Sequence, residues 1–359
     1  MAQDPIPVIQ VKGTYRQVGQ QIGEAMRPQA QRVLKEMHES VPPFATWEEM
    51  LEKGKLFLAH GRMVYPHFIE ELEGIAEGAN LPFEEVFLSQ CEGLWESATW
   101  NIGGGGCTDF AARGQATVHG HTMLAHTNDL RPVMERDLVI LKVQAEQDPE
   151  FMGVSIAGLG FSAGFNAAGI GLTGNDVSSN DIRVGVPRLL IVREILAARR
   201  LGEAMNACLV HQRASNYNNI IADANGEIYS MEGSATDCEP IYIEKDIMAH
   251  ANHYISPPMR RYEADRNRIG GSVIRHHRAM RLLRENFGKL SPELFMELMA
   301  DHANYPESIC KHAGRTITVF SVILNLNELR AWIGRGRPCQ TTYVEHSLDA
   351  WDPPADWKV

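Results

Sequence analysis

Apolar residues recur at helical spacing near the start of the chain. Val18, Ile22, Met26, Val33 and Met37 lie mainly four and seven positions apart, which predicts a helix over 15–38. Gly19 and Gly23 sit four apart on it. Glycine weakens a helix, so close packing against another element is the expected reason for the pair. Two more helices are expected over 47–63 and 67–79. Leu81-Pro82 ends the second, and a further helix runs from Phe83 to about Cys91.

The texture changes after Gly103-Gly104-Gly105-Gly106. Short alternating or apolar runs at 115–126, 137–145, 151–158 and 168–174 read as strands joined by Gly, Asn and Asp turns. Pro187 opens a long helix that passes Leu201 and ends near Leu209. Asn225-Gly226 turns a hairpin between 219–222 and 227–231. Helices return at 271–286 and 292–302, and a last hairpin pairs 316–324 with 329–333. This order predicts an α+β layered sandwich rather than a βαβ repeat. The glycine run is the one candidate boundary, and it is too short to separate independent domains.

Composition narrows the function. The chain has 359 residues, 44% hydrophobic and 22% charged, enough for a large core. A formal charge of −11 argues against a nucleic-acid partner. The one basic cluster holds Arg260, Arg261, Arg266, Arg268, Arg275 and Arg278. It reads as a solvated helix face with its lead-in, or as a surface for an anionic substrate or partner subunit. The first residues lack a basic segment followed by an apolar run, and no stretch reaches the roughly 18 apolar residues of a membrane span. A cytoplasmic protein with no membrane partner is expected. Oligomeric state is not readable.

The six cysteines, 91, 107, 208, 238, 310 and 339, form no C-x-x-C pair, so a thiolate zinc site is poorly supported. His119, His121 and His126 form H-x-H-x4-H, with the first two on one face of a strand. No acidic or thiolate residue nearby completes a ligand set, so they read as ordinary surface or core histidines. No phosphate-binding or dinucleotide motif stands at a strand–helix junction. Neither metal nor cofactor is expected.

Cys107 differs from the other cysteines by the four glycines before it. They can adopt backbone angles closed to other residues. A cysteine that cuts its own chain must aim its sulfur at the carbonyl just before it, and a side chain there would obstruct the distorted peptide. Cleavage between Gly106 and Cys107 would release an α-amine with a reference pKa of about 7.7–8.0, which suits a general base. Nucleophile and base would then belong to one residue. Taken alone, Gly-Cys-Thr-Asp is weak evidence, because a cysteine after a glycine loop is more often structural.

The chain as a whole resembles the acyl-coenzyme A:6-aminopenicillanate acyltransferases, or isopenicillin-N acyltransferases, a family of N-terminal-nucleophile hydrolases. The resemblance is carried in order by Gly13-Thr14-Tyr15-Arg16-Gln17-Val18-Gly19, Glu73-Gly74-Ile75-Ala76-Glu77-Gly78-Ala79 and Gly106-Cys107-Thr108. It continues through Gly164-Phe165-Asn166-Ala167-Ala168-Gly169, His250-Ala251-Asn252-His253 and Asn304-Tyr305-Pro306-Glu307-Ser308-Ile309-Cys310. It implies an αββα sandwich of two antiparallel sheets between helical layers. It also implies a precursor cut before Cys107 into pieces 1–106 and 107–359, which stay together as one structural domain.

The same resemblance implies roles for site residues. Asp129 matches the aspartate that holds the new amine or the substrate near the sulfur. Asn252 matches the oxyanion-hole asparagine, whose amide NH2 would donate to the tetrahedral intermediate. Asn175 matches a second polar position that would orient Asn252 or the substrate. Thr108, Ser234 and Ser308 match residues near the site, and Arg315 an arginine that would pair with Asp129 or a substrate carboxylate. Read without the resemblance, these are equally turn and surface residues. Lys311 stands where the penicillin enzyme has an arginine, and Gly233 where it has an aromatic residue. Both changes argue against penicillin itself as the substrate. The expected partner is a small-molecule N-acyl amide, hydrolysed through a thioester. Alternatives are a β-alanyl-amine substrate such as carcinine, and a non-catalytic binding protein that keeps the fold.

Overall fold

The computed structural model describes residues 4–41, 45–91, 94, 106–215, 217–267 and 269–352. Gly103–Gly105 of the glycine run and Arg268 of the basic cluster lie outside these residues. The predicted helix over 15–38 is two helices, α1 (Tyr15–Ala25) and α2 (Arg27–Glu39), split at Met26. Pro28 at the start of α2 has no N–H to give and would crowd the preceding turn, so one continuous helix is not possible. Thr14 caps α1 in a reciprocal box with Gln17. Helices α3 (Trp47–Val64), α4 (Pro66–Ala79) and α5 (Phe83–Leu88) follow as expected.

Gly19 and Gly23 explain themselves against α4. A Cβ on Gly19 would lie 1.9 Å from the Glu71 carbonyl oxygen, and one on Gly23 2.3 Å from that of Ile75. The contact is reciprocal, because a Cβ on Gly74 or Gly78 would meet the Arg16 or Gln20 carbonyl at 2.2 or 2.1 Å. The backbones therefore touch along two turns. Gly19→Ala is expected to lower stability by about 1–3 kcal/mol or more, read from the chemical-denaturation midpoint. An unchanged midpoint would show that the two helices can part without loss.

One sheet has eight strands in the order β1-β4-β5-β6-β7-β8-β9-β10. These are β1 (Val8–Gly13), β4 (Leu138–Ala145), β5 (Phe151–Ile156), β6 (Phe161–Asn166), β7 (Ile170–Asn175), β8 (Asn218–Asp223), β9 (Ile228–Gly233) and β10 (Cys238–Tyr242). The other has six in the order β11-β2-β3-β12-β13-β14. They are β2 (Thr108–Gly114), β3 (Gly120–Leu130), β11 (Ile247–His250), β12 (Ile317–Asn325), β13 (Arg330–Arg335) and β14 (Val344–Ser347). The pairings within both sheets are antiparallel, as expected, with one exception. β1 runs parallel to β4, Val8 beside Ile140, so the larger sheet is mixed. The long helix after Pro187 is also two, α6 (Arg188–Ala197) and α7 (Leu201–Cys208), and the last two helices are α8 (Gly270–Glu285) and α9 (Pro292–Met299).

Alternation along the strands builds the layers. Val139, Leu141 and Val143 of β4 join Phe151 and face the layer of α1 to α7, against Val18, Ile22, Phe68 and Ile191. Leu138 and Ile140, on the other face, meet Leu124, Val322 and Leu324 between the two sheets. Phe110, Met123 and Ala125 then cover the outer face of the smaller sheet against Leu283, Phe295 and Met299 of α8 and α9. The result is helix, sheet, sheet, helix, the layering that the family resemblance implies.

Candidate active site

Antiparallel register collects the site at one end of the six-stranded sheet. β2 starts at Thr108 opposite Thr127 of β3, and its Asp109 pairs with His250 at the end of β11. Asp129 near the end of β3 faces Thr318 at the start of β12. Cys107, Asp129 and Asn252 therefore emerge side by side from three neighbouring strands, although far apart in sequence.

Cys107 is buried, 7% exposed. Its N–H donates to Asn252 Oδ1 at 3.0 Å. Its carbonyl accepts from Arg275 Nη1 at 2.6 Å, and the same Nη1 reaches Thr108 Oγ1 at 2.9 Å. Arg275 Nη2 donates to Asn252 Oδ1 at 2.8 Å. Asn252 Nδ2 donates to the Asp176 carbonyl at 2.9 Å, and its backbone N–H to Ser272 Oγ at 2.6 Å. This fixes the asparagine's orientation. Two N–H donors meet the oxygen and a carbonyl meets the NH2, so the amide cannot be turned round. One of the two Asn252 N–H donors goes to Asp176, and in this state the Asn252 oxygen holds the nitrogen of Cys107.

Asp129 is fully buried, and its Oδ1 accepts from Thr318 Oγ1 at 2.6 Å. Oδ2 has no hydrogen-bond partner. A Cβ on Gly106 would lie 2.6 Å from that oxygen and 3.2 Å from the Arg275 guanidinium carbon. The residue before the nucleophile must therefore be glycine for a packing reason as well as a conformational one. Burial pushes the Asp129 carboxyl up to about 6, against the opposing pull of Arg275, the Thr318 hydrogen bond and Lys311. The expected pairing of Arg315 with Asp129 is not what the fold provides. Arg315 is exposed, and Arg275 is the nearby cation.

Arg275 is the residue the sequence reading placed wrongly, within a solvated basic cluster. It is buried on α8 with Ser272, Ala279, Leu282 and Leu283. A signal was present: the apolar stripe Ala279, Leu282 and Leu283, carried back one turn, lands on Arg275. His126 was likewise passed over as an ordinary histidine. It is fully buried, with Nδ1 2.8 Å from Asp109 Oδ1. Burial alone would push its imidazole down. The Asp109 carboxylate overcomes this and, with a smaller contribution from the Cys107 sulfur, holds it up at about 10. His121 instead contacts Asn325 at 3.1 Å, and His119 is exposed, so the three histidines do not converge.

The remaining expected residues divide. Asn175 is buried, with Oδ1 accepting from His250 Nδ1 at 2.9 Å and Asn218 Nδ2 at 3.3 Å, while its Nδ2 is buried without a partner. His250 is held in turn by Glu232 at 2.7 Å. The carbonyl that orients Asn252 belongs to Asp176, the next residue. Ser234 closes a turn after β9, its Oγ accepting from the Thr236 and Asp237 N–H groups at 3.1 and 3.0 Å. Ser308 donates to the Cys310 carbonyl at 2.7 Å. Both serines are occupied in local turns. Elsewhere, His302, Cys310, His312 and Cys339 bring four ligand-type atoms within 4.8 Å of one another. The missing C-x-x-C spacing hid them, because three separate stretches of chain supply them. No helix of the described residues is long and apolar enough to cross a membrane.

The two sheets lie between helical layers, and a buried cysteine stands at the head of an inner strand. Comparison with known proteins makes this specific. The family model "Acyl-coenzyme A:6-aminopenicillanic acid acyl-transferase" matches residues 117–340, more than half of the chain, and the protein belongs to that family. The matched span begins after Cys107. The 40 kDa form of acyl-coenzyme A:6-aminopenicillanic-acid acyltransferase from Emericella nidulans is 26% identical over 289 residues, 76% of each chain. The beta-alanyl-dopamine/carcinine hydrolase of Drosophila melanogaster is 24% identical over 216 residues, 55% of this chain and 56% of that one. Among solved structures, the conjugated bile acid hydrolase of Clostridium perfringens (C2A mutant) aligns with TM-score 0.45 and 10% identity over 66% of this chain and 92% of that one. Penicillin V acylase from Agrobacterium tumefaciens aligns with TM-score 0.43 and 13% identity over 64% and 83%. The protein is thus an enzyme of an acyltransferase and amidohydrolase family, which sets aside the non-catalytic alternative.

Proposed function

We propose that the protein is a self-cleaving N-terminal-cysteine amidohydrolase, cut between Gly106 and Cys107 and acting on a linear N-acyl amide through a thioester. The observation that carries this reading is the environment of the Gly106–Cys107 bond. The Cys107 nitrogen is held by Asn252 Oδ1, and the unpartnered Asp129 Oδ2 lies against Gly106.

In the precursor the Cys107 nitrogen is an amide and cannot act as a base. Asp129 is the available acceptor, mostly ionised at neutral pH because its pKa is about 6. The thiol proton passes to Asp129 Oδ2 as the sulfur attacks the Gly106 carbonyl carbon. The C–N bond breaks and the proton moves on to the departing Cys107 nitrogen. Water then hydrolyses the thioester, leaving a Gly106 carboxylate and a free thiol beside a free amine. Arg275 on the Cys107 carbonyl keeps the strand end in place during this exchange.

In the cut enzyme the amine takes the proton and the sulfur attacks the substrate amide. The second N–H of Asn252 Nδ2 and the unpartnered Nδ2 of Asn175 are the amide donors that would meet the tetrahedral oxygen. The C–N bond breaks as the Cys107 amine passes that proton to the departing nitrogen, and water then hydrolyses the thioester to a carboxylate and the free thiol. Among the described residues of the site none is committed to coenzyme A, which favours hydrolysis over transfer. A β-alanyl amine is the second reading, favoured by the likeness to the fly carcinine hydrolase.

The test has two parts. The large fragment of purified protein, sequenced from its first residue, should read Cys-Thr-Asp-Phe. The cut protein should then release amine from at least one member of a panel of penicillins, aryl-acyl amines and β-alanyl amines. A different first residue removes the base from the mechanism. Correctly cut protein that turns over none of the panel removes the amidase assignment.

A further inference from the structure

The cluster at His302, Cys310, His312 and Cys339 has no part in the chemistry above. His302 follows α9, Cys310 and His312 flank Lys311 on the loop leading to β12, and Cys339 follows β13. The His312 Nε2 atom lies 3.0 Å from His302 Nε2, 3.4 Å from Cys310 Sγ and 3.2 Å from Cys339 Sγ. As hydrogen bonding this is overfull. A neutral imidazole nitrogen either donates one proton or accepts along one lone pair, and it cannot serve a second imidazole and two thiols together.

The distances have a simpler common cause. Tetrahedral zinc with Zn–S of about 2.3 Å and Zn–N of about 2.0–2.1 Å puts its ligand atoms roughly 3.3–3.8 Å apart. All four atoms here lie within 4.8 Å of one another. We propose that His302, Cys310, His312 and Cys339 form a Cys2His2 zinc site. Two thiolates and two imidazoles neutralise a divalent ion and match the borderline-soft character of zinc. Four protein ligands leave no open position, so the ion is structural and not a Lewis acid for the reaction.

The frame around the ligands is prepared. Cys310 N–H donates to the Asp301 carbonyl at 3.0 Å, and the Asp301 carboxylate is held by Arg278 Nε at 3.1 Å. The same loop reaches the active site, since Lys311 N–H donates to Thr318 Oγ1 at 3.0 Å and that hydroxyl donates to Asp129. A metal here would tie the loop carrying Lys311 to the turn after β13. It would thereby brace one wall around Asp129.

The test reads metal, not activity, and so stands apart from the proposed reaction. Full-length protein purified in metal-depleted buffer should carry about one zinc per chain by elemental analysis. Exchange to cobalt(II) should give the visible bands of a tetrahedral ion and a thiolate charge-transfer band. Cys339→Ser and the exposed-site variant His302→Gln should each lose most of the zinc, with folding checked by circular dichroism. Cys107→Ala and Cys238→Ser should keep it. Wild-type protein without zinc overturns the proposal. So does zinc retained by folded Cys339→Ser and His302→Gln, or zinc lost from Cys107→Ala. A Cys310–Cys339 disulfide found by mass mapping overturns it as well.

Discussion

Cys107→Ala protein is expected to run as one uncut chain of 40.0 kDa, where the wild type is expected to give two fragments, and to release no amine from any amide. Alanine removes the sulfur proposed to attack the Gly106 carbonyl while leaving the packing nearly intact. The site around it, with Asn252 on the backbone N–H and Arg275 on the carbonyl, does not depend on the sulfur. The variant should therefore fold normally, and loss of cutting can be assigned to chemistry. Cutting that persists in Cys107→Ala would move the nucleophile elsewhere. An uncut wild type would mean that Cys107 never acquires its amine.

Arg275→Gln is expected to slow both cutting and turnover by about 10²–10³-fold, the range for losing one positioned donor in a reaction site. The guanidinium makes three contacts that hold the nucleophile's strand end and Asn252 together, at 2.6, 2.9 and 2.8 Å. A glutamine cannot span them. The pH profile supplies a second, independent sign. Asp129 must be ionised to take the thiol proton in the precursor, so the rate of cutting falls as pH drops through about 6. Arg275 is the largest influence holding that value down. Without the cation the carboxyl stays protonated to higher pH, so the acid limb should move upward. A slower enzyme with an unmoved limb would make Arg275 a packing residue only.

How far the sequence could be read depended on how each feature is encoded. Local period and turn chemistry placed most helices and the two hairpins. The break at Met26 was missed because the apolar spacing runs through it and Pro28 speaks only by its backbone. The edge strand β1 was missed because its pairing is supplied by a distant segment. At the site, Cys107 was visible because the glycines before it are consecutive. Asp129 and Asn252 were visible through motifs. Arg275 was hidden because charge clustering suggested solvent, whereas its fate was set by the stripe of α8 on which it falls. The orientation of Asn252 was beyond sequence, since it is decided by Asp176 and Arg275, neither of them a neighbour in the chain. The same is true of the four ligand-type residues around His312.

The placement of β1 and of helices α1 to α5 has one more consequence. All lie before the proposed cut, yet β1 is stitched into the larger sheet beside β4, and the helices form much of the lid over that sheet's apolar face. The smaller piece is thus not a plug to be discarded. Maturation would add one water to the mass, leave the interior unchanged and alter only the ends of one bond. Two chains would exist that had never been free of each other, and prising them apart would amount to unfolding the enzyme.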